Sequence, residues 1–403
     1  MRAAIRERFR KALRRDGVDV YIACTPSNFH YLSGYQSAFI DLSWQMSGTD
    51  LVVLFADSSH DPAVVVSEYS EQDARHATDI ADIRTYPMWT ENRDFRTVAG
   101  PRGAVVERPE QYDAEAIFAL VSKIVTERGL VSPVVGSDLS LMKHETFMAL
   151  ERAFLGHRLV DCRQIAYRVR SIKEPGEISS LRKAARLFDI GVARTVDKIK
   201  EGLTAADLQV IFEAALRDAV RCDPELGPFD KTFFFPHLGT GESQIVRRGD
   251  IIKLDCGVRV NGYWSDGCRH FSLGPPSAEQ LLVHDALRAG FDAALVLIRP
   301  GARVRDVFEA AITAVRKNGL PNYSRGHVGH SIGLDDQTEE PPFLGPNDTE
   351  LSENMMICLE LPYYPPDLGG FNIEDMLMVT ATGPEALTQL DRGLVELPCH
   401  ETS

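Results

Sequence analysis

The sequence predicts an α+β chain of two domains. Two observations carry this: short apolar runs alternate with helical periods up to about residue 160, and beyond a breaker-rich stretch the order helix, helix, β pair occurs twice. In the first half, Ile5, Phe9 and Leu13 recur every four residues in the basic opening segment, which reads as a helix leading into the strand-like VDVYIAC. A turn is expected at Thr25-Pro26-Ser27-Asn28, strands at DLVVLFA, PAVVVS and GAVVE, a helix near 113–127 and a strand at VVGSD. Ser171-Ile172-Lys173-Glu174-Pro175-Gly176 carries the residues that precede a new helix, so an α/β domain over 1–165 and a second domain over 166–403 are expected. In the second, helices over about 177–199 and 204–220, the latter opened by Thr204 with Asp207 three residues on, precede a strand pair around 251–273. Then a helix opened by Ser277 with Gln280, and another near 303–318, precede strands at 354–362 and 371–380. The repetition is one of pattern and not of residues.

Composition bounds the partners. The chain has 403 residues, 44% hydrophobic and 25% charged, with a net charge of -14, which argues against nucleic acid and for a small molecule or short peptide. No run approaches the roughly 18 apolar residues of a membrane span, and the opening lacks the apolar core of a secretory signal. Seven cysteines without a CxxC pair suit reduced thiols, so a cytoplasmic location is expected.

The chemistry concentrates in five residues of the second half: Asp255, Asp266, His330, Glu360 and Glu374. Each sits in an apolar or glycine-bearing segment where an unpaired charge is costly to bury. Grouped carboxylates must hold protons or gather around cations, and an oxygen-rich set with one imidazole suits Mn, Co, Fe or Zn. Asn261-Gly262 supplies the two positive φ angles of a type I′ hairpin turn. If Val260 faces Tyr263, Gly257 pairs with Asp266 and Asp255 with Cys268, which places Asp255, Gly257, Asp266 and Cys268 on one face. Ile252, Leu254, Cys256 and Val258 then form an apolar opposite face. His330 lies between Gly329 and Gly333, which permit close backbone approach to a ligand. Any one of the five alone reads equally well as an edge-strand or salt-bridged residue; together they point to a hydrolytic centre.

TPSNFHYLSGY, RSIKEPGEISSLRKAA, DCGVRVNGYWSD, GHSIGL, CLELPYY and NIEDMLMVTATG resemble the segments of one family, the pita-bread metallohydrolases, which include methionine aminopeptidases, Xaa-Pro aminopeptidases, prolidases and creatinase. The resemblance spans nearly the whole chain and implies a C-terminal pita-bread catalytic domain behind an N-terminal creatinase/prolidase-type domain. It implies two divalent metal ions, manganese first among them. Asp255 would hold one ion, Asp266 and Glu374 would bridge the pair, and His330 and Glu360 would complete the shell of the other. It further implies a metal-activated water attacking a carbonyl carbon, with Glu360 relaying the proton to the leaving nitrogen, and a homodimer.

The sequence also departs from the family. The His that usually comes after the GHxxG motif is absent from Leu334-Asp335-Asp336-Gln337-Thr338-Glu339-Glu340-Pro341, and Asn372 stands where proline-specific members carry Arg. His237 and His327 are the candidates for the family's substrate-contacting imidazoles, and Asn372 for a substrate contact. The resemblance implies Xaa-Pro peptidase activity as the leading form, while these departures speak against specificity for dipeptides ending in Pro; hydrolysis of a small non-peptide nitrogen compound, as in creatinase-like or ectoine-hydrolase-like branches, and a non-catalytic metal-binding relative are the alternatives. Gly329-His330-Ser331-Ile332-Gly333 also matches the G-x-S-x-G elbow of serine hydrolases, but no apolar strand precedes it and no helical period succeeds it.

Overall fold

A computed structural model describes residues 1–101, 103–240 and 244–399. It divides into two compact units, Met1–Val169 and Arg170–Ser403. In the first unit the strands are β1 (Val20–Ala23), β2 (Leu51–Phe55), β3 (Ala63–Ser67), β4 (Asp82–Tyr86), β5 (Val135–Ser137) and β6 (Leu159–Asp161), in sheet order β4-β3-β2-β1-β5-β6. The Val- and Leu-rich runs of β2 and β3 are buried along their whole length, as strands covered on both faces must be. The opening segment is the helix Arg2–Arg15, which buries Ile5, Phe9 and Leu13.

Two expectations fail here. Thr25 to Asn28 is not a turn: Thr25 Oγ1 accepts from the Asn28 amide and caps the helix Pro26–Ser33, with proline at the first position, where its missing N–H costs nothing. Residues 103–107 (GAVVE) form no strand, and Val105 is 97% exposed; the segment finds no neighbouring strand to pair with, and β4 and β6 are the outer strands of the sheet.

The second unit keeps the expected order. Helices Pro175–Val196 and Ala205–Cys222 precede β7 (Phe229–Phe234), β8 (His237–Leu238), β9 (Ile251–Val260), β10 (Tyr263–Trp264) and β11 (Gly267–Leu273). Helices Ala278–Leu295 and Val304–Lys317 precede β12 (Gly329–Ser331), β13 (Met356–Glu360) and β14 (Glu374–Thr380). The capping boxes at Thr204/Asp207 and Ser277/Gln280 both form. All the strands join one sheet with the central path β10-β9-β11-β14-β13-β12.

One face of that sheet is the core. Ile252, Leu254, Cys256 and Val258 pack with Phe188, Leu208, Phe212 and Leu216 of the first helix pair. Ile357, Leu359, Leu377 and Val379 pack with Leu287, Phe291, Val307 and Ala311 of the second. Asp375, fully buried, points to this face and is held by Arg269 at 2.5 Å and Thr388 at 2.8 Å. With alternate side chains anchored this way, the residues between them are committed to the other face.

A buried imidazole pair ties β11 to the chain entering β14. His270 Nδ1 meets the Asn372 carbonyl oxygen at 3.0 Å and must donate to it, so Nε2 accepts from His284 Nδ1 at 2.7 Å. Burial, with the neighbouring His284, pushes His270 down from 6.5 to about 3, and burial lowers His284 as well. The unfolded chain takes up protons below its ordinary histidine pKa while the folded chain does not. The stability is therefore present above pH 6.5 and lost as pH falls toward 3. His270→Gln is expected to flatten the acid side of the stability profile of this unit by roughly 3–5 kcal/mol across that window, read by urea unfolding at stepped pH; an unchanged slope contradicts the neutral pair.

Candidate metal centre

The sheet register builds the site. Asp255 on β9 lies opposite Cys268 on β11, Cys268 opposite Glu374 on β14, and Glu374 opposite Glu360 on β13. These four form one row across four strands, on the face opposite the core. Neighbouring strands lie about 4.7–4.9 Å apart, so Glu374 stands one spacing from Glu360 and two from Asp255. Asp266 precedes β11 and joins them, and β12 sets His330 opposite Cys358 one pair further along β13. The turn that fixes this register has φ of 52° at Asn261 and 84° at Gly262, with Val260 facing Tyr263. A Cβ at Gly257 would stand 2.2 Å from both Phe233 and the Ser265 carbonyl oxygen, so only glycine fits between β7 and the chain leading to Asp266.

The glycines around His330 allow close approach within the protein. Gly329, at φ 149°, abuts the Cys358 backbone on β13, and Gly333 abuts the Glu339 carboxylate.

Acid crowding dominates the electrostatics. Asp266 Oδ1 and Glu374 Oε1 are buried without a hydrogen-bond partner. His330 Nε2 lies 3.7 Å from Asp266 Oδ2 and 3.5 Å from Glu374 Oε1, and His330 Nδ1 lies 2.8 Å from Asp336 Oδ1. Burial first, then repulsion from Glu374 and Asp255, drives Asp266 well above the carboxylate range. Burial likewise pushes Glu374 up to about 8, and burial raises Asp255. Burial alone would lower His330, yet Asp336 and Glu374 hold it well above its ordinary value.

The outer carboxylates are compensated differently. Lys253 Nζ donates to Asp255 Oδ2 at 2.9 Å and to Tyr364 Oη at 3.2 Å. Arg325 donates to Glu360 Oε1 at 3.1 Å. Asn372 Nδ2 reaches Glu374 Oε2 at 3.2 Å and Glu360 Oε2 at 3.5 Å. His327 Nδ1 lies 3.7 Å from Glu360 Oε1, and His237, paired with Lys253 in the β8–β9 register, lies 5.9 Å ring to ring from Tyr364. The Nδ1 atoms of His237 and His327 are buried without a hydrogen-bond partner, and burial lowers both imidazoles. All eight residues singled out in the sequence thus lie on or beside one sheet face.

These donors fit a divalent cation. Two buried carboxylate oxygens lack partners, an imidazole nitrogen stands within 4 Å of both side chains, and Asp266, His330, Cys358 and Glu374 each offer one ligand atom, all within 4.8 Å of one another. His330 is oriented from behind by Asp336, as metal-binding imidazoles are by carboxylates elsewhere.

Sequence reasoning passed over Lys253, Arg325, Asp336 and Cys358. Lys253 and Cys358 carried a signal: each stands two residues before a candidate ligand in a strand, hence on its face. Arg325 and Asp336 lie in loops and carried none. The loop with Asp336 is fixed by buried charge: Arg170 binds Asp335 at 2.9 Å and Glu339 at 3.3 Å, and Lys173 also binds Glu339. Asp336 and Glu339 occupy the segment in which the sequence lacks the family's histidine.

Known proteins agree with this architecture. Residues 179–381 match metallopeptidase family M24 and residues 5–172 the creatinase/prolidase N-terminal domain. The chain belongs to metallopeptidase family M24: it is a metal-dependent peptidase hydrolase with a pita-bread catalytic domain. It is 28% identical over 389 residues to the "Uncharacterized hydrolase/peptidase y4tL" of Sinorhizobium fredii, covering 94% of this chain and 92% of that one. It is 30% identical over 281 residues to the "Probable dipeptidase PepE" of Mycobacterium tuberculosis, covering 67% of this chain and 74% of that relative. The fold matches the Xaa-Pro dipeptidase from Bacillus anthracis with a TM-score of 0.78 at 20% identity, over 98% of this chain and 100% of that one.

The crowding has a stability consequence. Asp266→Asn removes a buried acid that repels Glu374 and Asp255. It is expected to raise the Tm of the chelator-treated protein by about 2–6 °C, on the order of 1–2 kcal/mol, while abolishing the further rise that divalent ions give the wild type. Calorimetric scans with and without Mn²⁺ check both; a variant still stabilised by the ion contradicts the assignment.

Proposed function

We propose that this metallopeptidase hydrolyses an amide-type C–N bond in a short peptide, with Xaa-Pro dipeptides as the leading substrates. In this reading Asp255, Asp266, His330, Glu360 and Glu374 hold two divalent ions, manganese first. The supporting observation is the cross-strand row of carboxylates with unpartnered oxygens on Asp266 and Glu374 beside His330. Bound divalent metal supplies Lewis acidity, lowering the pKa of water and stabilising the oxyanion.

The remaining steps fall to the chain. Glu360 stands at the end of the row, with Arg325 and His327 around Oε1, and takes the proton from the attacking water to the leaving nitrogen. The unpartnered imidazole nitrogens of His237 and His327 hold the substrate, and Asn372 orients the ends of Glu374 and Glu360 and meets the substrate. A cavity of about 660 Å³ lined by Tyr323, Arg325, Tyr363 and Tyr364 adjoins the site through Arg325, which reaches Glu360, and Tyr364, which reaches Lys253. The relatives named dipeptidase or Xaa-Pro dipeptidase support a peptide substrate. The seven unpaired cysteines support a cytoplasmic location, and a homodimer is the assembly we read from the family resemblance.

One observation favours a second reading. Asn372 in place of a cation leaves no charge at that position for a substrate carboxylate, and the segment after Gly333 is occupied by Asp336 and Glu339. A small non-peptide amide needs neither contact.

The test is a metal-reconstituted enzyme assayed on Xaa-Pro dipeptides beside small cyclic and acylated amines. The expected outcome is dipeptide turnover that chelator abolishes and that Glu360→Gln lowers by roughly 10²-fold or more. Turnover confined to the amines overturns the peptidase reading in favour of the second.

A further inference from the structure

The cavity that adjoins the site is walled by aromatic rings around a single charge. Segments 319–325 and 362–364 line it, and among those lining residues Arg325 alone is ionised at neutral pH. The walls are tied together: Tyr323 Oη donates to the Pro362 carbonyl oxygen at 2.9 Å, and the Tyr323 and Tyr363 rings meet edge to face at 6.3 Å. Tyr363 and Tyr364 stay open to solvent, at 36% and 48% exposure. Arg325 sits where the cavity meets the site. It donates to Glu360 Oε1 at 3.1 Å and to the Glu360 carbonyl oxygen at 3.4 Å, contacts Tyr323 as well, and keeps 17% of its side chain exposed. These contacts use only part of the guanidinium's N–H groups. Asn372 reaches the other oxygen of the same carboxylate, Glu360 Oε2, at 3.5 Å. The loop entering β12 thus brings to Glu360 the cation that Asn372 lacks. Lys253, whose Nζ meets Tyr364 Oη, is 5% exposed and held by Asp255, so it offers no comparable open charge.

We infer that this cavity is the subsite for the free carboxylate of a dipeptide, bound by Arg325, with Tyr363 and Tyr364 against the residue that bears it. This deepens the peptide reading above and rests on it. A guanidinium binds a carboxylate through paired, charge-assisted N–H···O contacts that a neutral amide cannot match. In a dipeptide the carboxylate lies one residue from the scissile bond, which suits a cation that also touches Glu360. A substrate whose C-terminus is an amide forfeits the contact.

The test compares Ala-Pro with its C-terminal amide on the full chain reconstituted with Mn²⁺. The wild type is expected to favour the acid by roughly 10- to 100-fold in kcat/KM, carried mainly by KM. Arg325→Met brings the acid-to-amide ratio close to one. Arg325→Lys keeps the charge without the planar fork and restores part of the ratio, which also covers the case in which the methionine variant fails to fold. Loss of Arg325 as a mere support for Glu360 would slow both substrates alike and leave the ratio unchanged. A wild-type ratio near one, or a ratio that neither variant alters, overturns the assignment. Calorimetric binding of N-acetyl-L-proline separates the two levels of inference. If neither Ala-Pro nor its amide is turned over, the peptidase reading falls; binding of this acid that Arg325→Met abolishes then upholds the carboxylate subsite, and binding that is absent or indifferent to the variant removes the subsite as well.

Discussion

The second unit is organised around the repulsion of carboxylates that its own sheet forces together. Strand register brings Asp255, Glu374 and Glu360 into one row, and the hairpin adds Asp266. Acids so placed away from water stay charged only beside positive charge, and otherwise hold protons. The chain supplies Lys253 and Arg325 to the two ends and, although His330 faces both middle acids, leaves Asp266 Oδ1 and Glu374 Oε1 without a hydrogen bond. A sheet built only for stability would carry apolar residues in that row, as the opposite face of β9 does.

The core makes this tolerable. Ile252, Leu254, Cys256 and Val258 on β9, and Ile357 and Leu359 on β13, are fully buried against the two helix pairs. A slip of one residue in either strand would turn these side chains to the site face and the acids into the core. The register is therefore over-determined: by the Asn261-Gly262 turn, by the lack of room for any side chain at Gly257, and by apolar packing. An ion pair on the core face, Asp375 with Arg269, pins the same strands, and the neutral His270 holds the Asn372 carbonyl. Anchoring on one face pre-positions the other, which is what a site of converging ligands needs.

Much of this was legible in the sequence because it is local or periodic. Type I′ turn chemistry gave the register of β9 and β11 in advance, capping pairs marked the helix starts at Thr204 and Ser277, and alternation separated Asp255 from its apolar neighbours. Alternation also places Lys253 and Cys358, two residues ahead of Asp255 and Glu360, on the site face. What could not be read were contacts closed by loops. Arg325 meets Glu360 across 35 positions, and Asp336 meets His330 through a segment whose shape depends on Arg170 and Lys173 far upstream. The errors have the same origin. GAVVE has strand composition but no neighbour to pair with, and Thr25-Pro26 marks a turn or a helix start depending on whether the residues after it pack as a helix.

The acids of this face whose oxygens lack hydrogen bonds, Asp266 and Glu374, are placed to hold divalent metal. Anomalous diffraction from crystals soaked in a metal salt, recorded above and below that metal's absorption edge, tests it most directly. The strongest anomalous peak is expected among the side chains of Asp266, His330 and Glu374. No peak on this sheet face, or a strongest peak elsewhere such as at the His270–His284 pair, would contradict it.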